Sequence, residues 1–254
     1  MAAANHTIAI IEFLVSSKNP NKLTAISKGL HINISTAYRI LSSLKNCEWV
    51  NRDQISKKYS IGIRLLEIAF SLVSQIGLRN VSLPFLEFLY NKVKEGVMLS
   101  TRIGLERMYI EQIQSDHELR QIVKLGERMP LWGGSPGKAI LAYMEKSEIE
   151  AVINKLGKSG VRFFASGQVI NIYKLRKELS EIRREGFSLS SGERIAGSIA
   201  VAAPIFDRDQ RVIGAISIGG PMARFSLDIA TSSGPLVREI ANKISAQLGY
   251  PITG

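Results

Sequence analysis

Hydrophobic and polar positions follow a helical spacing through the first part of the chain. Apolar residues recur at steps of three and four within 7–17 and again within 24–30, which predicts two short amphipathic helices. The polar, proline-containing segment 18–21 predicts the turn that separates them. A third helix is predicted from Ser35, whose side chain suits an N-cap, to Lys45.

The third predicted helix has two different faces. Ala37, Leu41 and Leu44 form an apolar stripe that would pack on the first two helices. The opposite side carries hydroxyl groups and an arginine, Arg39, which can donate two parallel hydrogen bonds to a guanine edge. We expect this side to contact DNA, and the alternative is an ordinary solvent-exposed helix face. The predicted DNA-contacting residues of the second and third helices are Thr24, Ser35, Thr36, Tyr38, Arg39 and Ser42.

A basic hairpin is predicted directly after the third helix. Two short strands, 48–52 and 57–61, flank a turn at 53–56. The hairpin carries three basic side chains, Arg52, Lys57 and Lys58. Residues 1–65 hold nine lysines and arginines against three acidic residues, so they carry +6 of the chain's net charge of +11. A basic hairpin in this position is typical of the wing of a winged helix-turn-helix, where it contacts the DNA backbone.

An apolar-rich helix is predicted to follow the hairpin. The apolar positions of 63–76 exceed one helical stripe, so two surfaces must cover this helix. We expect one of them to be a second copy of the chain. The alternative is a core helix of the C-terminal domain.

The C-terminal part predicts an α+β domain. Its predicted strands are 97–102, 107–113, 119–125, 198–206 and 211–218. Its predicted helices are 83–94, 136–144, one that opens with a capping box at 147–150, 171–185, and 235–248. Because strands and helices segregate in this way, we expect an antiparallel sheet with helices packed on it.

Composition excludes several classes of protein. A single cysteine, Cys47, allows no intrachain disulfide, and with only three histidines it allows no Cys/His zinc cluster. The chain has no run of about 18 apolar residues, so the sequence predicts no membrane span. Its N-terminus does not have the pattern of a secretory signal. We therefore expect a cytoplasmic protein with no metal, no cofactor and no membrane partner.

The glycine-rich segment 133–139 invites two catalytic interpretations, and both fail. A G-x-S-x-G nucleophile elbow needs a histidine after Ser135, but the last histidine of the chain is His117. A Walker loop needs glycine where Trp132 stands and serine or threonine where Ala139 stands. The sequence therefore predicts no catalytic residue and no enzyme.

Over almost its whole length, the chain resembles the IclR (isocitrate lyase regulator) type of bacterial and archaeal transcription regulators. Five blocks carry the resemblance, at 35–41, 59–67, 135–142, 199–207 and 215–221. The resemblance implies a winged helix, a dimerising linker helix and a GAF-like effector domain, with assembly into dimers or tetramers. We accordingly predict a DNA-binding domain over 1–62, a linker and dimerisation helix over 63–78, and an effector-binding domain over 79–254.

The same resemblance implies an effector pocket between the sheet and the loop before the helix at 136–144. Carried over by position, it involves Ser135, Glu193, Ala200, Ser217 and Gly219, and we expect Met129 and Leu131 to line it as well. This chain departs from the family at Ala200 (often cysteine), Ser190 (often acidic), Gly219 (often serine) and Pro136, which removes a backbone N–H. These departures predict a pocket with few polar contacts and therefore an apolar effector, an aromatic acid or a lipophilic compound.

The predicted function is a sequence-specific transcription regulator, repressor or activator, that binds double-stranded operator DNA and is controlled allosterically by a small-molecule effector. Two alternatives remain. One is a GAF-type small-molecule-binding protein or enzyme with a vestigial DNA domain. The other is a winged helix that serves protein interaction and does not bind DNA.

Overall fold

The computed structural model describes residues 2–17, 19–75 and 77–251. Three parts of the predicted segments lie outside this description: Lys18 of the first turn, Ile76 of the linker helix and residues 252–254. The chain divides into two compact units, Met1–Ile76 and Gly77–Gly254.

The N-terminal unit is a three-helix core followed by a two-stranded hairpin and a further helix. Its elements are α1 (Ala2–Ser16), α2 (Leu23–Leu30), α3 (Ile34–Asn46), β1 (Val50–Arg52), β2 (Tyr59–Ile61) and α4 (Ile63–Gln75). The apolar stripes of the three helices meet in one core with the hairpin, as their spacing predicted. The buried residues of this core are Ile10, Leu14, Ile26, Ile32, Ala37, Leu41, Val50 and Tyr59.

The hairpin strands are antiparallel and lie close to the start of α4. Asn51 pairs with Ser60, and Arg52 pairs with Tyr59. Gly62 permits the close approach, because a Cβ at this position would stand 2.0 Å from the carbonyl oxygen of Glu48. The strands are shorter than predicted but occupy the predicted places.

The C-terminal unit contains one sheet and five helices among its described residues. The helices are α5 (Gly77–Val93), α6 (Ser135–Leu141), α7 (Lys146–Lys158), α8 (Ile172–Glu185) and α9 (Leu227–Gln247). The strands are β3 (Gly96–Ile103), β4 (Glu106–Ile113), β5 (Arg128–Pro130), β6 (Ser188–Ser191), β7 (Ser198–Phe206) and β8 (Val212–Pro221). The predicted α+β architecture is confirmed.

The sheet has six antiparallel strands in the order β5-β4-β3-β8-β7-β6. α6 packs on β7 and β8 from one face, where Ala202 and Ala215 join the cluster around α6, α7 and α8. α5 packs on β3, and α9 packs on β7 and on α5. A Cβ on Gly214, one residue before Ala215, would meet Leu78 of α5, so α5 covers the opposite face. We call the face under α6 the effector face.

Two helices begin earlier than predicted. The predicted starts at residues 83 and 235 were placed at prolines, but Pro84 lies inside α5 and Pro235 lies inside α9. α9 begins after Ser226, whose side chain accepts a hydrogen bond from the backbone N–H of Ile229. The start of α9 is set by its N-cap, Ser226, and α5 is held by its packing on β3, so neither helix starts at its proline.

The strand predicted at 119–125 is wrong. Three of its apolar residues are three apart rather than two, and these are exposed: Leu119, Ile122 and Leu125 are 66%, 58% and 49% accessible. The edge strand is instead β5, where Arg107 of β4 pairs with Met129. The strand β6 was not predicted.

The ends of the two middle helices differ in how well the sequence predicted them. The capping box predicted at 147–150 is wrong, because α7 begins at Lys146 and its N-cap is Glu145, two residues before Ser147. The side chain of Glu145 makes no capping hydrogen bond. For α8 the prediction is confirmed: Asn171 caps its start and Gly186 ends it with a positive φ of 78°.

Candidate DNA-binding surface and effector site

The start of α3 is fixed by Asn33 rather than by Ser35. The side-chain oxygen of Asn33 accepts hydrogen bonds from the backbone N–H of Ser35 at 2.9 Å and from its hydroxyl at 2.8 Å. The prediction that Ser35 is the N-cap is therefore wrong. Asn33, one position before the helix, satisfies the N–H of Ser35, whereas a cap at Ser35 would have satisfied an N–H two or three residues further on. Ser35 itself lies on the exposed surface.

The outer face of α3 is open and positively charged. Ser35, Tyr38 and Arg39 are exposed, and Thr36 and Ser42 are partly buried on its flanks. No carboxylate of the described residues forms an ion pair with Arg39. Thr24, near the start of α2, is exposed as well. An unpaired guanidinium beside hydroxyl groups can reach base edges and phosphates.

The three basic side chains of the wing form no ion pair with any described carboxylate. Arg52 lies over the ring of Tyr59, with its guanidinium carbon 5.4 Å from the ring centre. Lys57 is exposed and Lys58 partly buried. The nearby carboxylate of Asp53 instead accepts two hydrogen bonds from Ser56, from its hydroxyl and from its backbone N–H, each at 2.6 Å. These bonds hold the pKa of Asp53 below its ordinary value, so the acid stays ionised within the turn.

The predicted effector residues converge on the effector face and on the loop before α6. Ala200 pairs with Gly219, and Ala202 pairs with Ser217, so these four positions share the face under α6. Leu131 and Ser135 are fully buried in the loop and first turn of α6. Met129 lies at the edge, with its sulfur 3.1 Å from Nη2 of Arg194.

Glu193 is held by the protein itself. One of its carboxylate oxygens accepts from Lys138 Nζ at 2.5 Å, and the other accepts from the backbone N–H of Gly134 at 2.8 Å. Lys138 is 3% exposed and also contacts Glu178 at 2.8 Å. These bonds tie the loop before α6 to the segment after β6, and they leave Lys138 fully paired rather than free for a phosphate.

Two serines of the predicted site differ in their partners. The hydroxyl of Ser217 donates to the carbonyl of Met98 at 3.4 Å. The hydroxyl of Ser135 is buried without a hydrogen-bond partner, while its carbonyl accepts from Ser188 Oγ at 2.6 Å. Ser135 therefore has no base beside it, as a nucleophile would need.

Sequence reasoning missed the most polar part of this site, which is Arg107 on β4. Arg107 is fully buried, and its Nη1 donates to Ser100 Oγ at 3.3 Å. Among the residues that the structure describes, its Nε and Nη2 have no hydrogen-bond partner, and neither has the side-chain oxygen of Gln121. The guanidinium lies over the ring of Tyr109 at 4.5 Å. The only sequence signal was an arginine inside a predicted strand, which ordinarily marks the solvent side.

A second arginine stands beside the first. Arg194 is an exposed residue, but partial desolvation of its guanidinium and the positive charge of Arg107 lower its pKa. A Cβ on Gly134 would lie 2.8 Å from Arg194 Cγ and 3.6 Å from Arg107 Nη2, so both side chains reach the loop before α6. Two guanidinium groups therefore lie near the loop before α6.

No group of three or more His, Cys, Asp or Glu among the described residues could hold a metal ion. None of the helices that the structure describes is long and apolar enough to cross a membrane.

A winged helix-turn-helix joined to an α+β domain with a polar buried face defines a class of ligand-responsive transcription regulators, and comparison with known proteins identifies the family. Residues 70–246 match the model of the bacterial transcriptional regulator IclR C-terminal domain, and residues 3–54 match the IclR helix-turn-helix domain. The chain belongs to the IclR family of bacterial transcription regulators.

Relatives and solved structures agree over nearly the whole chain. The HTH-type transcriptional repressor AllR of Klebsiella pneumoniae is 31% identical over 247 residues, which covers 97% of this chain and 90% of AllR. The crystal structure of the Thermotoga maritima IclR superposes with a TM-score of 0.80 at 24% identity, over 98% of this chain and all of that one. The crystal structure of an IclR homologue of Microbacterium hydrocarbonoxydans complexed with 4-hydroxybenzoate superposes with a TM-score of 0.82 at 23% identity. The superposition covers 97% of this chain and 98% of that one. These two structures share the fold of this chain.

Proposed function

We propose that this protein is a cytoplasmic repressor that binds double-stranded operator DNA as a homodimer or homotetramer and whose DNA affinity is controlled by a small-molecule effector. The AllR relatives are named repressors, which supports this direction of control. Membership of a family of regulators also supports a binding protein rather than an enzyme.

The observation that carries the proposal is the outer face of α3 with the adjoining wing. Arg39 is exposed and unpaired among the described residues, and the wing adds Arg52, Lys57 and Lys58. In this arrangement α3 would enter the major groove while the wing contacts the phosphates. Ser35, Thr36, Tyr38 and Ser42 would supply further contacts, and Thr24 would bind the backbone.

Assembly through α4 is part of the proposal. The linker helix predicted over 63–78 is shorter in the structure, because α4 ends at Gln75 and Gly77 begins α5. Two large apolar side chains of α4, Ile63 and Leu66, are 55% and 49% exposed in the single chain. Exposed apolar residues on a helix next to a DNA-binding domain favour burial against a second copy. A two-fold dimer would present two copies of α3 to two half-sites of a palindromic operator.

Control by the effector requires different affinities for two arrangements of the dimer. An effector that binds one arrangement more tightly shifts the population toward it. By thermodynamic linkage, the factor by which the effector changes DNA affinity equals the factor by which DNA changes effector affinity. We propose that the effector binds on the effector face, among Met129, Leu131, Ser135, Ala200, Ser217 and Gly219, with Glu193 shaping the loop. The 4-hydroxybenzoate bound by the Microbacterium homologue supports an aromatic acid as one candidate.

Fluorescence anisotropy with DNA from upstream of the protein's own gene tests this function. The full-length protein should bind that duplex more tightly than a scrambled duplex of equal length and composition, and its affinity should fall steeply with salt. Equal affinity for both duplexes would contradict sequence-specific binding. No binding to either duplex would contradict the proposed function and favour the protein-interaction alternative.

A further inference from the structure

The effector face holds a buried positive charge without a counterion. Arg107 is 0% exposed, and no carboxylate of the described residues lies within ion-pair distance of it. Burying an unpaired charge is strongly unfavourable, and proteins ordinarily provide a partner. The buried, unpaired guanidinium of Arg107 therefore lowers the stability of the folded protein, and a bound anion would remove this penalty.

The atoms left free on Arg107 are the two that bind a carboxylate together. Nη1 is used by Ser100, whereas Nε and Nη2 form the opposite edge of the guanidinium and have no partner. Along this edge two N–H bonds point in parallel and match the two oxygens of a carboxylate. The ring of Tyr109, 4.5 Å from the guanidinium carbon, fixes the plane of the group without using a donor.

The free edge lies within the predicted effector site. Ser100, which Arg107 contacts, pairs with Ala215, so it shares a face with Ser217 two residues further along β8. Nη2 is 3.6 Å from the position that a Cβ on Gly134 would take, at the loop before α6. The unpartnered hydroxyl of Ser135 follows directly in the chain.

Other charges and polar atoms on this face fit an anionic ligand. Arg194 adds a second positive charge beside Arg107. Glu193, the acidic member of the predicted site, is occupied by Lys138 and Gly134.

We propose that Arg107 is the residue that selects the effector, by binding a carboxylate group of an organic acid through Nε and Nη2. This proposal rests on the proposed function and narrows it, because it excludes a neutral lipophilic effector. Arg107 is not among the positions that the family resemblance implies, so the pocket has a polar group that those positions do not predict.

Acetate is the probe for this site, because it is little more than the carboxylate itself. Thermal unfolding of the full-length protein would be followed while acetate replaces chloride at constant ionic strength. The melting temperature of the wild type should rise with acetate, since a ligand that binds only the folded state stabilises it. Acetamide, which is neutral and of equal size, should give no rise.

Three variants complete the experiment. Arg107→Met should remove the response to acetate and should unfold at a higher temperature than the wild type in chloride, because an unpaired buried charge is gone. Arg107→Lys keeps the charge without the parallel donors, so it should fold and respond at least tenfold more weakly to acetate. Arg208→Met, a matched change at an exposed arginine, should respond like the wild type.

The outcomes separate this proposal from the proposed function. An equal response of wild type and Arg107→Met, an equal response to acetamide, or no response of the wild type would overturn the role of Arg107. A lower melting temperature of Arg107→Met in chloride, with an undiminished acetate response of Arg107→Lys, would make Arg107 a structural residue. DNA binding is measured independently by anisotropy, so its absence would count against the proposed function alone.

Discussion

The guanidinium of Arg107 lies 4.5 Å above the ring of Tyr109, two residues further along the same strand, and both side chains are buried. Their apolar neighbours, Met108 and Ile110, are only partly buried on the other face of β4. The strand thus turns its charged side toward the protein interior. A buried polar face of this kind is expected where a ligand completes the packing.

The wing lysines should contribute to DNA affinity without contributing to base preference. Lys57→Ala and Lys58→Ala should each weaken binding to specific and scrambled duplexes by similar factors, because phosphates are alike in both. Each change should lower the slope of log affinity against log salt by about one. Anisotropy titrations at several salt concentrations measure both effects. A loss confined to the specific duplex would show that these lysines read bases.

Asn33 and Ser35 should have separable roles although they hydrogen-bond to each other. Asn33→Ala removes the N-cap of α3 and should lower the free energy of unfolding by about 1 kcal/mol, as measured by urea denaturation. Ser35→Ala leaves the cap's acceptor in place, so it should weaken DNA binding with a smaller effect on stability. The opposite ranking in the urea experiment would restore Ser35 as the capping residue.

Two glycines in helices should respond to alanine in opposite directions. In the interior of α9, a Cβ on Gly234 would stand 2.3 Å from the ring of Phe187, whereas a Cβ on Gly157 of α7 would meet no atom within 4 Å. Gly157→Ala should stabilise the protein by about 0.5–1 kcal/mol through backbone entropy. Gly234→Ala should destabilise it by about 1–3 kcal/mol, because the ring must move. Equal shifts in melting temperature would mean that Phe187 is not packed against α9.

The assembly proposal depends on α4. Leu66→Glu should shift the sedimentation coefficient toward that of a monomer, because a charge would be buried in the proposed dimer contact. Ile55→Glu is the matched control, since Ile55 is 93% exposed at the tip of the wing. Unchanged association of Leu66→Glu would place the dimer contact elsewhere.

The DNA-binding half was largely predictable because local rules decide it. Apolar spacing in 7–17, 24–30 and 35–45 identified three helices and their shared core, and the hairpin after them was recognised from composition. The N-cap of α3 was placed at Ser35, two residues after the true cap at Asn33, because serine and asparagine are both good N-cap residues. Helix ends are the part of such a prediction that local rules fix least.

The effector half was less predictable because tertiary packing overrides local signals there. Pro84 and Pro235 sit inside helices that the sheet holds in place, although proline ordinarily breaks a helix. The burial of Arg107 could not be predicted, because the alternation of apolar residues along β4 would place Met108 and Ile110 in the core and Arg107 on the solvent side. The structure has the opposite arrangement. Only the three-dimensional arrangement shows that Nε and Nη2 of this arginine lack partners.

The central claim is that α3 reads DNA sequence through Arg39, and selection of binding sites from random duplexes tests it most directly. The wild type should enrich a palindromic motif whose half-sites lie about 10 base pairs, or a multiple of that, apart. Arg39→Ala should enrich the same motif with one base position per half-site made degenerate, and its affinity should fall by about 1–3 kcal/mol. Arg208→Ala, which removes the same charge far from the helix-turn-helix in the sequence, should reproduce the wild-type motif. No enriched motif for the wild type, or an identical motif and affinity for Arg39→Ala, would contradict the account.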